Sequence, residues 1–546
     1  MKRVVLLSFI LCCAASLGFA GGRSAASSSP SETAVGTADQ PGWKLNASKP
    51  VQFDWYLNFS WFPRQWGQSA VSKYITQQTG VNIRFIVPAG NEAERLNAMI
   101  AGDSLPDLIT LGWWESQVGM MIDAGMVEPL NKLAEQYDPY FFKVAKQQII
   151  GWYNKPDGNI YGYPNASFTP DDYEKYQGKM NSNRTFLVRK DMYEAIGSPD
   201  MTTPEGFLAG LRAAKAKFPT VNGQPIIPFA AQEFSDTGND SFQGYLAQFL
   251  ALPYEENGQF IDNTVGPQNS DYIRWLKTFR QAVQEGLMPM DAFVDKRVQI
   301  EEKSAQGRYF SLLYQISDMR TSEDALYAQD PNMIYIAVDG PKNSRGSDPV
   351  LPGGAGISGW TVTLISKNCK DKARAIQFLS YLISEEGQLA TRFGVPGVTY
   401  NMVNGIPRYL PAMEQLNLTD KNRQETEYGF DYTYWMLMDT AWAQQFPTDQ
   451  APSMEPAYAW TRPYVRSYAQ YDNLELTPGS DEALIYDEVQ RRWGRDLPRL
   501  LLAKTDAEFD TIWNEYQQFK NDRGFAKVLA RRSALLAENK KKLGIQ

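Results

Sequence analysis

The chain has 546 residues, is 43% hydrophobic and 21% charged, and carries a formal net charge of −8. That length exceeds one ordinary core, so at least two lobes are expected; the acidic balance argues against nucleic acid as a partner. The sequence has no His and three Cys, which excludes His-based triads, HExxH zinc sites and thiolate-rich metal sites. Carboxylate chemistry stays open.

The first twenty residues read as an export leader. Lys2 and Arg3 precede an apolar run, Val4 to Leu17, too short for a good membrane span. Gly18-Phe19-Ala20 places small residues at −3 and −1, so cleavage is expected after Ala20. A lipidation Cys does not follow: Gly22 stands there, and Cys12 and Cys13 lie inside the apolar run. Lipid anchoring is not expected on these residues, and the protein is expected to be periplasmic or extracellular. Residues 21–44, rich in Ser, Ala and Gly as far as Gln40, read as a flexible tether. After cleavage Cys369 is the remaining thiol, so no internal disulfide is expected.

Val51, Phe53 and Trp55 alternate with polar residues as a strand, and a loop from Tyr56 to Gly67 follows. Val71, Tyr74 and Ile75 mark a helix. Val81 to Val87 alternates as a second strand. Asn91 and Glu94 match a capping box for a helix that stops at Gly102, and Asp107 to Leu111 is a third strand. This order predicts an α/β lobe with a largely parallel sheet. After a boundary at 154–165, strands are expected at 185–189, 226–231, 310–314, 334–338 and 361–366. Helices are expected after the Thr203 cap, around Leu276 to Val283, and from Ala373 to Ala390.

In such sheets ligands bind beyond the carboxyl ends of strands. Two loops there are crowded with rings, Tyr56 to Trp66 and Trp113-Trp114. A pyranose offers an apolar C–H face to a flat ring and hydroxyls to polar groups at its edge. The candidate ligand set is therefore Trp55, Tyr56, Trp61, Trp113, Trp114 and Trp360, with Glu115, Asn165, Arg184 and Asp318 as polar contacts. Trp113, Trp114 and Trp360 are expected to form one ring platform. The alternatives are a core position for each ring and a plain surface or inter-lobe hydrogen bond for each polar group. Gly354 to Gly359 fits GxGxxG, but it precedes a strand instead of opening a helix, so it reads as a flexible crossing segment. No Walker A motif and no calcium loop appears in the sequence.

Ordered blocks of the sequence resemble the family 1 extracellular solute-binding proteins of ABC importers. They are Thr79-Gly80-Val81-Asn82-Ile83, Ala101 to Leu108, Asp157 to Pro164, and Arg189-Lys190-Asp191-Met192 with Thr203-Pro204-Glu205. Ile365-Ser366-Lys367, Ala373 to Ile376, Ser384 to Gly387 and Phe393 to Val398 follow in order. The likeness covers about residues 50–410 and is closest to the long oligosaccharide-binding branch, which includes LipO-type and alginate-binding proteins. It implies a two-lobed α/β periplasmic-binding-protein fold (type II), each lobe a sheet flanked by helices. It also implies a sugar held between the lobes, and permease subunits with their ATPase as partners. Two departures are visible: Gly22 replaces the family's lipidation Cys, and Thr220 to Gln224 lacks the carboxylates of the alginate-type calcium loop. No metal or cofactor is expected.

Lobe 1 is expected from residues 45–165 and 340–400, and lobe 2 from 166–339 and 401–546, with crossings near 165–185, 339–357 and 396–401. The expected function is capture of an oligosaccharide by a monomeric binding protein with no reaction. A carboxylate-dependent glycosidase or lyase, and a binder of peptide or another polar solute, are the alternatives.

Overall fold

The computed structural model describes residues 33–90, 92–262, 270–354, 356–446, 451–477 and 479–545. The expected leader, its cleavage site, Gly22 and Asn91 of the capping box lie outside these residues. Two sheets divide the molecule. The first uses β1 (Val51–Leu57), β2 (Val81–Ile86), β3 (Leu108–Gly112) and β4 (Gly162–Pro164). The second uses β5 (Arg184–Arg189), β6 (Ile227–Ala231), β7 (Tyr309–Gln315) and β8 (Tyr335–Ala337). The chain then returns to the first sheet as β9 (Thr361–Ile365). The strand orders are β2-β1-β3-β9-β4 and β8-β5-β7-β6.

Alternation along these strands builds a core on each face of each sheet. In lobe 1, Phe53, Trp55 and Leu57 point into one cluster with Val81 and Ile83. Tyr56, Ile109, Leu111, Val362 and Leu364 point into the other. In lobe 2, Phe186 and Val188 face one cluster and Leu187 the opposite one. The first sheet is mixed, not largely parallel. β1 runs parallel to β2 and β3, but β9 is antiparallel to both β3 and β4. The cause is topological, because β9 re-enters from the other lobe instead of through a local crossover helix.

Three expectations about extent are corrected. The tether expected as far as residue 44 is packed from Ala34 onward: Gly36 N–H donates to Tyr137 O at 3.0 Å, and Asn46 Nδ2 to Ala34 O at 2.8 Å. Trp43, 1% exposed, anchors this segment between Tyr140 and Tyr381. Next, the helix expected over 373–390 is two helices, Lys372–Ile383 and Glu385–Arg392. Ser384 divides them by capping the second, its Oγ accepting from Gly387 N–H.

The third correction moves a crossing and a lobe boundary. Residues 401–437, expected in lobe 2, pack with lobe 1 through Met413, Leu416, Phe430 and Trp435. The third passage between lobes therefore lies not at 396–401 but between Leu437 and Ala451, where lobe 2 packing resumes. Leu351 is likewise part of the lobe 2 core, so the start of the expected second lobe 1 segment at residue 340 is too early. The three passages touch near Asn165: Ala166 N–H donates to Met438 O and Phe168 N–H to Gly356 O, both at 2.8 Å.

The last three helices, Asp481–Leu502, Asp506–Asp522 and Ala526–Leu543, follow. Val489, Trp493, Leu497, Phe509, Trp513 and Val528 from them bury into the lobe 2 core. Among the described residues no helix is long and apolar enough to cross a membrane. Thr220–Val221 and Gln224–Pro225 close a two-residue hairpin, with Asn222 and Gly223 both at positive φ.

Candidate functional site

The lobe 1 edge that carries the ends of β1, β3 and β4 and the start of β9 is also where two passages leave or enter the sheet. It is rich in rings. Trp61 and Trp360 are stacked and nearly parallel, 10° apart with centres at 6.0 Å. Trp435 stacks on Trp61 at 5.6 Å and lies tilted against Trp360 at 4.6 Å, and Phe59 meets Trp435 edge-on. These spacings fall within ordinary aromatic pairing. The cluster has a graded exposure: Trp435 is 6% exposed and Phe59 8%, but Trp61 is 56% exposed. A buried base thus holds an open flat face in place. Sequence reading missed Trp435; the apolar run Tyr434 to Leu437 was a legible sign of a buried element.

The expected single platform of Trp113, Trp114 and Trp360 divides in two. Trp113 packs on the face of Tyr56, Leu111 and Met121, whereas Trp360 packs on the opposite face with Phe59. Trp113 and Trp114 form their own edge-to-face pair at 6.0 Å. Trp114 lies back over Gly112, where a Cβ would come within 2.7 Å of the indole. That close approach requires glycine at the end of β3.

Trp55 and Tyr56 are corrected as ligand residues, since both belong to cores. Trp55 is 1% exposed and donates from Nε1 to Thr110 Oγ1; Tyr56 is 0% exposed and donates from its hydroxyl to Asn58 Oδ1. Asn165 is corrected as well. It is 1% exposed, its Nδ2 donates to Trp435 O, and its Oδ1 accepts from Thr361 N–H. With Trp360 N–H donating to Asn165 O, this residue fastens the ring cluster to the passages. The glycine-rich crossing is tightly packed, not flexible. A Cβ on Gly356 would meet the Asp472 carboxylate at 2.1 Å, and one on Gly359 would meet Asn165 O at 2.2 Å; both glycines have positive φ.

Glu115 is half-buried beside the Trp113–Trp114 pair. Its Oε1 accepts from Gly112 N–H at 2.7 Å and its Oε2 from Asn58 Nδ2 at 2.5 Å. Burial pushes its carboxyl above the usual range, and these two hydrogen bonds pull it back. In lobe 2, Asp318 follows β7 and is held by Arg297 at 3.1 Å and by Gln315 Nε2. Arg184, at the start of β5, lies 4.8 Å over the Tyr245 ring, with Asp240, Tyr254 and Tyr468 in its surroundings. Its guanidinium is buried, and the nearby Asp240 carboxylate favours its charged form. A cavity of about 610 Å³ adds lobe 2 residues Arg320 and Glu455 to lobe 1 residues Arg392, Arg408, Tyr409 and Glu414. Sequence reading did not anticipate this cavity, because the 401–437 segment that forms one wall was assigned to the other lobe.

The lobe 1 edge thus offers an exposed flat ring on a buried aromatic base, with the fixed carboxylate of Glu115 on the other side of the same sheet edge. The chain is 27% identical over 273 residues to the fructooligosaccharide ABC transporter substrate-binding protein FusA of Streptococcus pneumoniae, covering 47% of this chain and 49% of that one. The match thus spans about half the length of that relative. It is 22% identical over 321 residues to the polygalacturonan/rhamnogalacturonan-binding protein YtcQ of Bacillus subtilis, covering 58% and 60%. The fold is similar to the solved S. pneumoniae FusA in complex with kestose, with a TM-score of 0.67 and 18% identity over 90% of this chain and 100% of that one. The sequence profile of bacterial extracellular solute-binding proteins matches residues 65–389, more than half of the chain, and the chain belongs to that family.

Proposed function

We propose that this protein captures an oligosaccharide between its two lobes outside the cytoplasm and delivers it to an ABC importer without chemically changing it. The observation that carries this reading is the exposed Trp61 ring, held by stacking with Trp360 and Trp435 on a buried aromatic base at the ligand edge of the sheet. The names of the relatives, which bind fructooligosaccharide and polygalacturonan, support the same solute class. Glu115 and Asp318 each sit among fixed partners. Those partners suit acceptors of sugar hydroxyls and do not suggest a carboxylate pair aimed at a glycosidic bond. Closure of the lobes on the solute follows from differential affinity for the closed form.

Titration calorimetry against fructooligosaccharides and oligogalacturonides tests this, with an assay for new reducing ends in the same samples. Binding without new reducing ends is expected. Trp61→Ala should weaken it by roughly 2 kcal/mol or more, and Trp61→Phe by less, because the flat face survives. Trp435→Ala should instead lower folding stability by roughly 3–5 kcal/mol, as for a buried ring. Full affinity in Trp61→Ala, or release of reducing ends by the wild type, would overturn the reading.

A further inference from the structure

Three segments meet at Lys146, which lies in lobe 1 between the short helices Phe141–Val144 and Gln147–Tyr153. Its Nζ donates to Asp172 Oδ2 and to Asp439 Oδ1, both at 3.0 Å. Asp172 belongs to the helix Pro170–Lys175 of the first passage, and Asp439 follows Met438 in the third. Each carboxylate is also fixed within its own segment. Asp172 Oδ2 accepts from Thr169 N–H and Oγ1 in a capping box, and Asp439 Oδ1 accepts from Trp442 N–H at 2.9 Å. The Asp172 side chain is nearly buried, and those of Lys146 and Asp439 are mostly so. Burial works against the Lys146 charge, but Asp439 and Asp172 outweigh it and hold the ammonium's pKa above the ordinary lysine range. One cation thus neutralises carboxylates from two different passages, and its removal would leave two like charges at one place.

The two sides of this contact differ. Towards lobe 1 the attachments continue: Gln148 Nε2 donates to Asp171 Oδ1 at 2.9 Å, and Asp439 N–H donates to Gln388 Oε1 at 2.7 Å. Ala441 of the third passage packs with Phe168 and Tyr176 of the first, so the two passages share a small core. Towards lobe 2 the first passage attaches again at Asn181, whose Oδ1 accepts from Arg462 Nε, and at Ser182, whose N–H donates to Thr461 Oγ1, both at 2.9 Å. Gln177-Gly178-Lys179 between them is exposed. Gly178 has positive φ, and a Cβ there would meet nothing within 4 Å. Met180, just beyond, packs on the small core with an unbranched side chain that can slide as the backbone turns.

We propose that Lys146 is a hinge clasp. It holds the helix Pro170–Lys175 and the start of the third passage to lobe 1 as one body, so the lobes bend beyond it, at Gln177-Gly178-Lys179 and past Asp439. The clasp goes beyond the solute reading and does not depend on it. Lys146 is a positioning residue, which acts on the lobe angle through two carboxylates and not through contact with solute.

The test measures distances between pairs of spin labels on the ligand-free protein. The labels sit on cysteines introduced at exposed positions, with Cys12, Cys13 and Cys369 replaced by Ala. Gln136→Cys with Lys175→Cys spans the clasp, Lys175→Cys with Glu205→Cys spans the bend, and Gln136→Cys with Glu385→Cys lies inside lobe 1. With Lys146 in place, the first and third distance distributions should be narrow and the second at least about twofold wider, because hinge freedom collects beyond the clasp. Lys146→Met should widen the first to the breadth of the second and leave the third narrow. Lys146→Arg, whose fork of donors can serve both carboxylates, should make the first narrow again. Asp439→Asn keeps an acceptor for Trp442 N–H, removes one of the two charges and should widen the first pair partway. It carries the test if melting curves show that Lys146→Met does not fold. Equal widths for the first two pairs with Lys146 in place would overturn the proposal. So would a first pair that stays narrow in the folded Lys146→Met protein, or in Asp439→Asn where Lys146→Met does not fold. Widening of the lobe 1 pair along with the first would mean general loss of packing and would overturn it as well.

Discussion

Asp472 shows how much of this structure is decided at single residues. Its Oδ2 accepts from Ser358 N–H at 3.1 Å, beside the glycine of a crossing that leaves no room for a Cβ. Burial raises its carboxyl from 3.8 to about 7, against the lowering effect of hydrogen bonds from Ser358 and Ile357. In the unfolded chain it titrates near the ordinary value, so between about pH 4 and about pH 7 the folded state holds a proton that the unfolded state has released. Stability contributed by this group is therefore present below that window and lost as pH rises through it. Asp472→Asn keeps an acceptor for Ser358 N–H and removes the titration. Its melting temperature should fall less than that of the wild type between pH 4 and pH 7, with a gain on the order of 1 kcal/mol or more at pH 7.5. Parallel pH profiles for the two proteins would refute the assignment.

At the scale of elements, the sequence was most legible where one face alternates. The strands over Val51–Leu57 and Val81–Ile86 lie within two residues of their expected places, because each has alternating apolar residues whose period leaves one assignment; Arg184–Arg189, buried along almost its whole length, was legible as a short apolar run between charged ends. Boundaries that depend on a cap were harder. The helix pair around Ser384 reads as one helix from Ala373 to Ala390, yet a Cβ on Gly387 would come within 2.0 Å of Tyr381 O. The Ser384 cap and Gly387 are thus one device that lets the second helix turn away at once. Gly387→Ala should destabilise lobe 1 by roughly 1–3 kcal/mol, as other overpacked sites do, and Ser384→Ala by about 1 kcal/mol through loss of the cap. Urea unfolding would measure both, and an unaffected Gly387→Ala protein would mean that the break has slack. The candidate site was legible in kind more than in place. Ring-rich loops at strand ends were visible, but the sequence has no signal for which face of a sheet a loop ring takes. Trp113 and Trp360 were separated by that choice, and Trp55, Tyr56 and Asn165 were drawn into cores.

For the whole molecule, the decisive feature is how its final helix joins the lobes. Ala526–Leu543 is rooted in lobe 2, where Val528 is buried, and Lys540 pairs with Glu255 at 2.7 Å. Along its length Asn539 Nδ2 donates to Gln470 O and Asp472 O, gripping the segment that holds the second crossing. Its tip reaches lobe 1: Lys542 lies 5.8 Å from the Trp152 ring centre, and Leu543 packs against the cluster of Trp152, Ile357 and Ala469. Trp152 in turn donates from Nε1 to Ser358 Oγ in the crossing at 3.0 Å. The helix is thus a strut on the hinge, and contacts of this kind bias the balance of open and closed forms. A chain ending at Asn539 loses an ion pair and the tip contacts but no large buried side chain, so lobe stability should change by less than about 1 kcal/mol. Its ligand-free radius of gyration in small-angle scattering should exceed that of the full chain, because open forms gain population. With saturating oligosaccharide the two chains should share the same, smaller radius, because the ligand then fixes the lobe angle. Affinity should fall by the fraction of closure-competent molecules that the truncation removes. Equal ligand-free radii for the two chains would show that the three crossings alone set the angle, and that the helix tip follows the motion without restraining it.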